Sequence, residues 1–513
     1  MPTIAQLAGE VLCVGLPAHI LACETARELA DIAPGALILF TRNLATLAAT
    51  RDLVAAARTS AGGDAPPLVC VDQEGGRVAR LRFAAPGVPA MLALGATDDA
   101  KLAELVGERH ARDLAAIGAD VDFAPVLDLA LVPESTIVGT RSLGDDPRRV
   151  AILGAAIVRG LERGGVVSVP KHFPGHGATA LDSHVALPTI ETSAAELRTR
   201  DLLPFVAAFA AGARAVMSAH AIVRALDERR PATLSPSVLT TLLRDELGFA
   251  GVCFTDCLQM DAIAHGVGTV RGAVLALAAG ADCCIISHDL AIARDARDAI
   301  VAAVADGTLP LARLTEAAQR VRALRAVPVR KAPSVNAAAD DIAALVAARA
   351  IAVVRGDVVL DPALPVTVVS FEGAGGDGVA AQATQRPSLS LALRQRGLRS
   401  ELLRVPLDPA PDIADALLEL VAAQGARGVV IVARRAHDFA QQRAMLARLI
   451  AALPHAVCAS ALEPFDVPHL AGARGIVCSF DDGEASIEAL ADVLAGRARA
   501  TGRLPVTLPA LPS

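Results

Sequence analysis

Apolar positions in the first 290 residues gather into eight short β-branched runs, each closing on a polar residue and followed by an Ala/Leu/Arg-rich stretch. The runs are VLCVGL (11–16), ALILFT (36–41), PLVCVDQE (67–74), VDFAPVLD (121–128), VVSVPKHF (166–173), ARAVMSAH (213–220), VCFTDCL (252–258) and CCIISHD (283–289). They predict strands, and stretches such as 98–117, 148–164 and 193–211 predict the helices between them. Eight strands alternating with helices fit a (β/α)8 TIM barrel, whose usual size is ~250 residues or more. A doubly wound open sheet is the rival that periodicity does not exclude.

The polar residues sit at one end of these runs: Arg42, Asp72 with Glu74, Asp122 with Asp128, Lys171 with His172, His220, Asp256 and His288. Polar residues also mark where strands stop. In a barrel, however, all C-terminal strand ends meet on one face, and that face carries the active site. Residues 327–341 (VPVRKAPSVNAAADD) form a break suited to a linker. Beyond it IAVVR (351–355), VTVVSF (366–371), GVVIVAR (428–434) and GIVCSF (475–480) alternate with helical stretches, predicting a smaller α/β sandwich domain. The expected division is a catalytic barrel over 1–326, a linker over 327–345 and the sandwich over 346–513.

Composition narrows the function classes. The chain has 513 residues, 53% hydrophobic and 20% charged, which argues against a disordered or linker-dominated protein and allows a large core. A net charge of −7 gives no basic footprint for nucleic acid or an anionic membrane. Twelve Phe with neither Trp nor Tyr weaken any reading that needs stacked bases and leave no Trp sugar platform, so a sugar would have to be gripped by polar side chains. The nine cysteines, mostly inside apolar runs and without a CxxC pair, suggest free thiols in a reducing compartment and no structural zinc. The N-terminus lacks a basic n-region. The apolar stretch 202–223 is divided by Pro204, Gly212 and Arg214, which suggests a buried helix and strand. A soluble cytoplasmic protein without a membrane partner is expected.

The densest chemistry is KHFPGHGATALDSH (171–184), with Lys171, His172, His176, Asp182 and His184 in a Gly/Pro-rich loop after a strand. Pro174 and Gly175 keep His172 and His176 off a shared helical face, so metal ligation is not expected. Asp182, two residues before His184, is placed to orient that imidazole as an acid or base. Asp256 is the candidate nucleophile opposite, at another strand end and without an adjacent Lys or Arg. VDQEGGRVAR (71–80) offers Asp72, Arg77 and Arg80 around a turn suited to a polyhydroxylated ligand, without the Lys and Ser/Thr of a phosphate loop. GTRSLGDDP (139–147) adds Arg141. GAGGDG (373–378) matches a dinucleotide-binding glycine pattern, but the acidic residue expected at the next strand end is absent.

VDQEGGRV, DVDFAPVLD, KHFPGHG followed by DSH, PATLSP (231–236) and LRDELGFAGVCFTDCLQMDAI together resemble glycoside hydrolase family 3, in its β-N-acetylhexosaminidase (NagZ-type) branch. The likeness covers residues 1 to about 325, and the second domain resembles the sandwich of two-domain members. It implies removal of terminal β-linked N-acetylglucosamine from muropeptides or chitooligosaccharides with retention, and no cofactor. Asp256 would be the nucleophile, His184 the acid/base and Asp182 its partner. Asp72, Arg80, Arg141, Lys171 and His172 match sugar-binding positions, with Arg77 equally placed as Arg80. Retaining glycosidases usually pair two carboxyls; here a histidine would replace one. The competing readings are a phosphorylase, since a neutral imidazole repels phosphate less than a carboxylate does, and a non-catalytic sugar-binding barrel.

Overall fold

The computed structural model describes residues 2–63, 65–81, 87–135, 137–179, 187–326, 341–373, 387–423 and 428–509. Eight parallel strands form the first sheet: β1 (Leu12–Gly15), β2 (Ala36–Leu39), β3 (Leu68–Val71), β4 (Val121–Asp122), β5 (Val167–Ser168), β6 (Ala215–Ser218), β7 (Val252–Cys257) and β8 (Cys283–Ile286). Their spatial order is β5-β4-β3-β2-β1-β8-β7-β6. The segment just beyond β5 pairs with β6, because Phe173 N–H donates to Met217 O at 2.8 Å and Met217 N–H to Pro170 O at 3.0 Å. The barrel is therefore closed. Each predicted run contains one of these strands.

Closure explains the run-like apolar pattern, because a barrel strand is buried on both faces. In β1, Cys13 faces the lumen with Ile38, Phe123, Met217, Phe254 and Ile285, whereas Leu12 and Val14 pack outward with the helices. Phe123 and Phe254 meet edge to face at 5.3 Å, filling the lumen beside small residues such as Cys70 and Ala215. All nine cysteines are free, and those in the apolar runs are buried except Cys257, at the end of β7.

Pro204 modifies the helical stretch 193–211. It lacks an N–H and its ring crowds the carbonyl four residues back. The chain responds with a one-turn helix (Ala194–Glu196), a π-turn (Leu197–Asp201) and then a helix (Leu203–Ala210) instead of one continuous helix. Among the described residues, no helix is long and apolar enough to cross a membrane.

The second sheet comprises β9 (Ala352–Gly356), β10 (Val366–Glu372), β11 (Ser400–Pro406), β12 (Gly428–Ala433), β13 (Val457–Ser460) and β14 (Gly475–Cys478), in the order β9-β14-β13-β12-β10-β11. Only β9 runs antiparallel to its neighbour. No apolar run of the sequence marks β11 or β13. The first is an edge strand carrying Glu401 and Arg404, and the second, VCAS, has a single β-branched residue among small ones. Most of the expected linker lies outside the described residues, and the helix Ile342–Ala350 begins within its expected span.

Candidate active site

The C-terminal ends of the barrel strands carry the polar cluster. Asp72 follows β3, and the chain then turns through a hairpin whose first strand, Gln73–Gly75, contains Glu74. The Lys171 ammonium, beyond β5, bridges both acids, reaching Asp72 Oδ1 at 2.7 Å and Glu74 Oε1 at 2.6 Å. Arg141, in the 3-10 turn Gly139–Arg141, donates from Nε and Nη2 to the two oxygens of Glu74, each at 2.8 Å, and from Nη1 to Ile137 O at 2.9 Å. The Glu74 side chain is 1% exposed and that of Asp72 15%, so Glu74 is a strut and Asp72 is accessible to a ligand.

Burial alone would raise the Glu74 carboxyl, but the Arg141 and Lys171 cations outweigh it and hold it well below the usual carboxylate range. Lys171 and Arg141 are likewise kept charged: burial opposes their charge, and the acids beside them more than offset it.

His172, the next residue after Lys171, lies between Asp128 and Asp256. Its Nδ1 lies 2.6 Å from Asp128 Oδ2, and its Nε2 lies 3.8 Å from Asp256 Oδ2. Asp128 also accepts the backbone N–H of His176 at 2.7 Å. Burial raises the Asp128 carboxyl, yet His172, His176 and these bonds bring it below its ordinary value. The Asp256 side chain remains 20% exposed.

A register shift near the end of β7 re-aims its last residues. Thr255 Oγ1 accepts the Ile285 N–H at 3.0 Å at this irregularity. Behind it, His220 Nε2 lies 3.0 Å from Cys257 O and Nδ1 lies 2.9 Å from Thr233 Oγ1, so a buried imidazole braces the strand end carrying Asp256.

The structure thus joins Asp72, Arg141, Lys171, His172 and Asp256. Arg80 lies beside them on the hairpin, its backbone N–H donating to Gln73 Oε1 at 2.9 Å and its guanidinium 5.8 Å from the Phe40 ring centroid. Arg77 turns elsewhere, towards Glu463 of the second domain at 3.5 Å. Asp182 and His184 lie outside the described residues, as does most of GAGGDG. Among the described residues, no group of three or more His, Cys, Asp or Glu could hold a metal ion.

Sequence reasoning marked Glu74 and Asp128 as strand-end acids without assigning either to the site. For Glu74, the available signal was its two-residue offset from Asp72, which returns a side chain to the same face of an extended segment.

The family model for the N-terminal domain of glycosyl hydrolase family 3 matches residues 4–324. A β-hexosaminidase of Stenotrophomonas maltophilia (strain K279a) is 40% identical over 285 residues, 54% of this chain and 83% of the relative. One from Pseudomonas aeruginosa (strain LESB58) is 44% identical over 261 residues, 50% of this chain and 76% of the relative. The solved family 3 β-N-acetylglucosaminidase of Paenibacillus sp. strain FPU-7 superposes with a TM-score of 0.92 at 33% identity, covering 99% of each chain.

Proposed function

The chain belongs to glycosyl hydrolase family 3 and is a glycoside hydrolase acting on β-linked sugars, and we propose that it is a retaining exo-β-N-acetylglucosaminidase working on muropeptides or chitooligosaccharides. The observation that carries this reading is the gathering at one barrel face of the Asp72–Lys171 pair, 2.7 Å apart, and of His172, whose Nε2 lies 3.8 Å from the accessible carboxylate of Asp256. The β-hexosaminidase relatives and the Paenibacillus β-N-acetylglucosaminidase support the choice of sugar.

In this mechanism an Asp256 oxygen attacks the anomeric carbon and forms a glycosyl ester as the glycosidic bond breaks. His184 gives its proton to the departing oxygen. The same imidazole then takes a proton from water, whose oxygen attacks the anomeric carbon, frees Asp256 and releases the sugar with its original configuration. A histidine suits both roles near neutrality because its ordinary pKa is ~6.5. Asp182 would hold the ring and stabilise its cation. Asp72, Arg80, Arg141, Lys171 and His172 would bind the sugar hydroxyls, the ion-paired groups being held in place before substrate arrives.

A 5-fluoro N-acetylglucosaminyl inactivator should add one glycosyl mass to the peptide containing Asp256, and turnover should favour an aryl N-acetylglucosaminide over the matching glucoside. Labelling elsewhere, or unchanged turnover in Asp256→Ala, would overturn the assignment. Accumulation of sugar 1-phosphate as the main product in phosphate buffer would make the enzyme a phosphorylase.

A further inference from the structure

Residues just beyond two strands of the sandwich sheet reach barrel loops near the polar cluster. Beyond β13, the Glu463 side chain enters the junction and is 5% exposed. Its Oε1 accepts the Thr140 backbone N–H at 3.3 Å and lies 3.5 Å from Arg77 Nη2. Beyond β14, Asp481 Oδ1 accepts the Ala90 N–H at 3.2 Å. Two barrel loops, one leading from the Arg77 hairpin and the other carrying Arg141, are therefore held by carboxylates of the second domain.

The junction at the 3-10 turn is tight. A Cβ on Gly139 would lie 2.5 Å from Glu463 Oε1 and 3.2 Å from Arg77 Nη2. Gly139 also has φ +41°, where a side chain adds strain. The turn is short and Arg141 is its last residue, so the position of Thr140 sets where the Arg141 guanidinium starts. From there the guanidinium binds Glu74 and Ile137 O.

The chemistry of Glu463 also argues for a positioning role. Its Oε2 is buried and has no hydrogen-bond partner among the described residues. Apolar residues usually hold buried surfaces together at least as well as a desolvated ion pair. Elsewhere the domains do meet through apolar packing, where Ile342, Val346 and Ala350 join the barrel's own cluster. An incompletely satisfied carboxylate is a poor adhesive but a directional acceptor for one amide.

We propose that Glu463 of the second domain is a positioning residue for the sugar site, fixing the Gly139–Arg141 turn and hence the Arg141 guanidinium. The effect on sugar binding rests on the functional reading above; the effect on the turn does not.

The test uses the full chain with Glu463→Asp, which keeps the charge but shortens the reach, and Glu463→Gln, which keeps an acceptor oxygen at full reach. Hydrogen exchange in a peptide spanning 137–144 should rise in Glu463→Asp and stay near wild type in Glu463→Gln. For an aryl N-acetylglucosaminide, Glu463→Asp should raise KM about tenfold, the effect of ~1.4 kcal/mol, with a much smaller change in kcat. The inhibition constant of free N-acetylglucosamine should rise in parallel, and Glu463→Gln should recover most of both losses. Equal exchange in all three proteins would overturn the brace. Raised exchange with unchanged KM and inhibition constant would overturn its link to sugar binding. A wild type that neither cleaves nor binds N-acetylglucosaminides would instead refute the substrate reading, while exchange still decides the brace.

Discussion

A carboxyl group shut away from water stays ionised only through what touches it, and Glu74 is held in that state by two cations on separate loops. His176 is the opposite case. It is buried beside Asp128 and His172 with neither ring nitrogen hydrogen-bonded among the described residues, and burial, the largest influence, pushes it down to about 4. Above pH ~6.5 the ring is neutral in both the folded and unfolded chain and contributes no pH dependence. Between that pH and about 4 the unfolded chain takes up a proton that the folded chain refuses. This costs stability at ~1.4 kcal/mol per pH unit. His176→Leu should remove this contribution, so the wild type should lose ground against the variant as pH falls from 6.5 to 4.5. Urea midpoints that fall in parallel for the two proteins would rule it out.

The informative element is β7. A regular strand would continue its ladder to the end, but the pairing with β8 slips between Phe254 and Cys257. The Thr255 hydroxyl accepts the Ile285 N–H where the ladder is irregular. Thr255→Val keeps the shape and β propensity but removes that acceptor, orphaning a buried N–H. The expected cost is ~1–3 kcal/mol in unfolding free energy, together with slower inactivation by the fluorinated sugar, because Asp256 is the next residue. A wild-type urea midpoint and inactivation rate would show that the hydroxyl supports neither. The neighbouring His220 contact on Cys257 O provides a second restraint on the same strand end.

At the scale of the molecule, the two domains are more than neighbours in sequence. The large apolar cluster runs from the barrel helices into Ile342, Val346, Val369 and Val429. The C-terminal segment returns to the barrel, with Arg503 N–H donating to Ala96 O at 2.9 Å and Asp145 N–H to Pro505 O at 3.1 Å. Gly144 permits that approach, since a Cβ there would lie 2.4 Å from Pro505 O. Chains with several domains commonly unfold in steps. Here the shared core predicts one calorimetric transition for the full chain, and two resolved transitions would show that the interface is too weak to couple the domains.

The sequence alone determined what local chemistry can express. Eight apolar runs announced eight barrel strands, because a strand buried on both faces must be apolar throughout, and the KHFPGHG and VDQEGGRV segments carried the family resemblance. Pro204 stood visibly inside a predicted helix, although the π-turn that accommodates it was not legible. The tertiary structure decided everything that depends on which distant residues meet. It set Arg141 against Glu74 across 67 positions and brought Glu463 to Thr140 across 323. Hydrophobic periodicity reports burial but not partners. Whether a buried charge is a strut, a ligand-facing group or a link between domains depends on barrel closure and domain docking, which place its counter-charge.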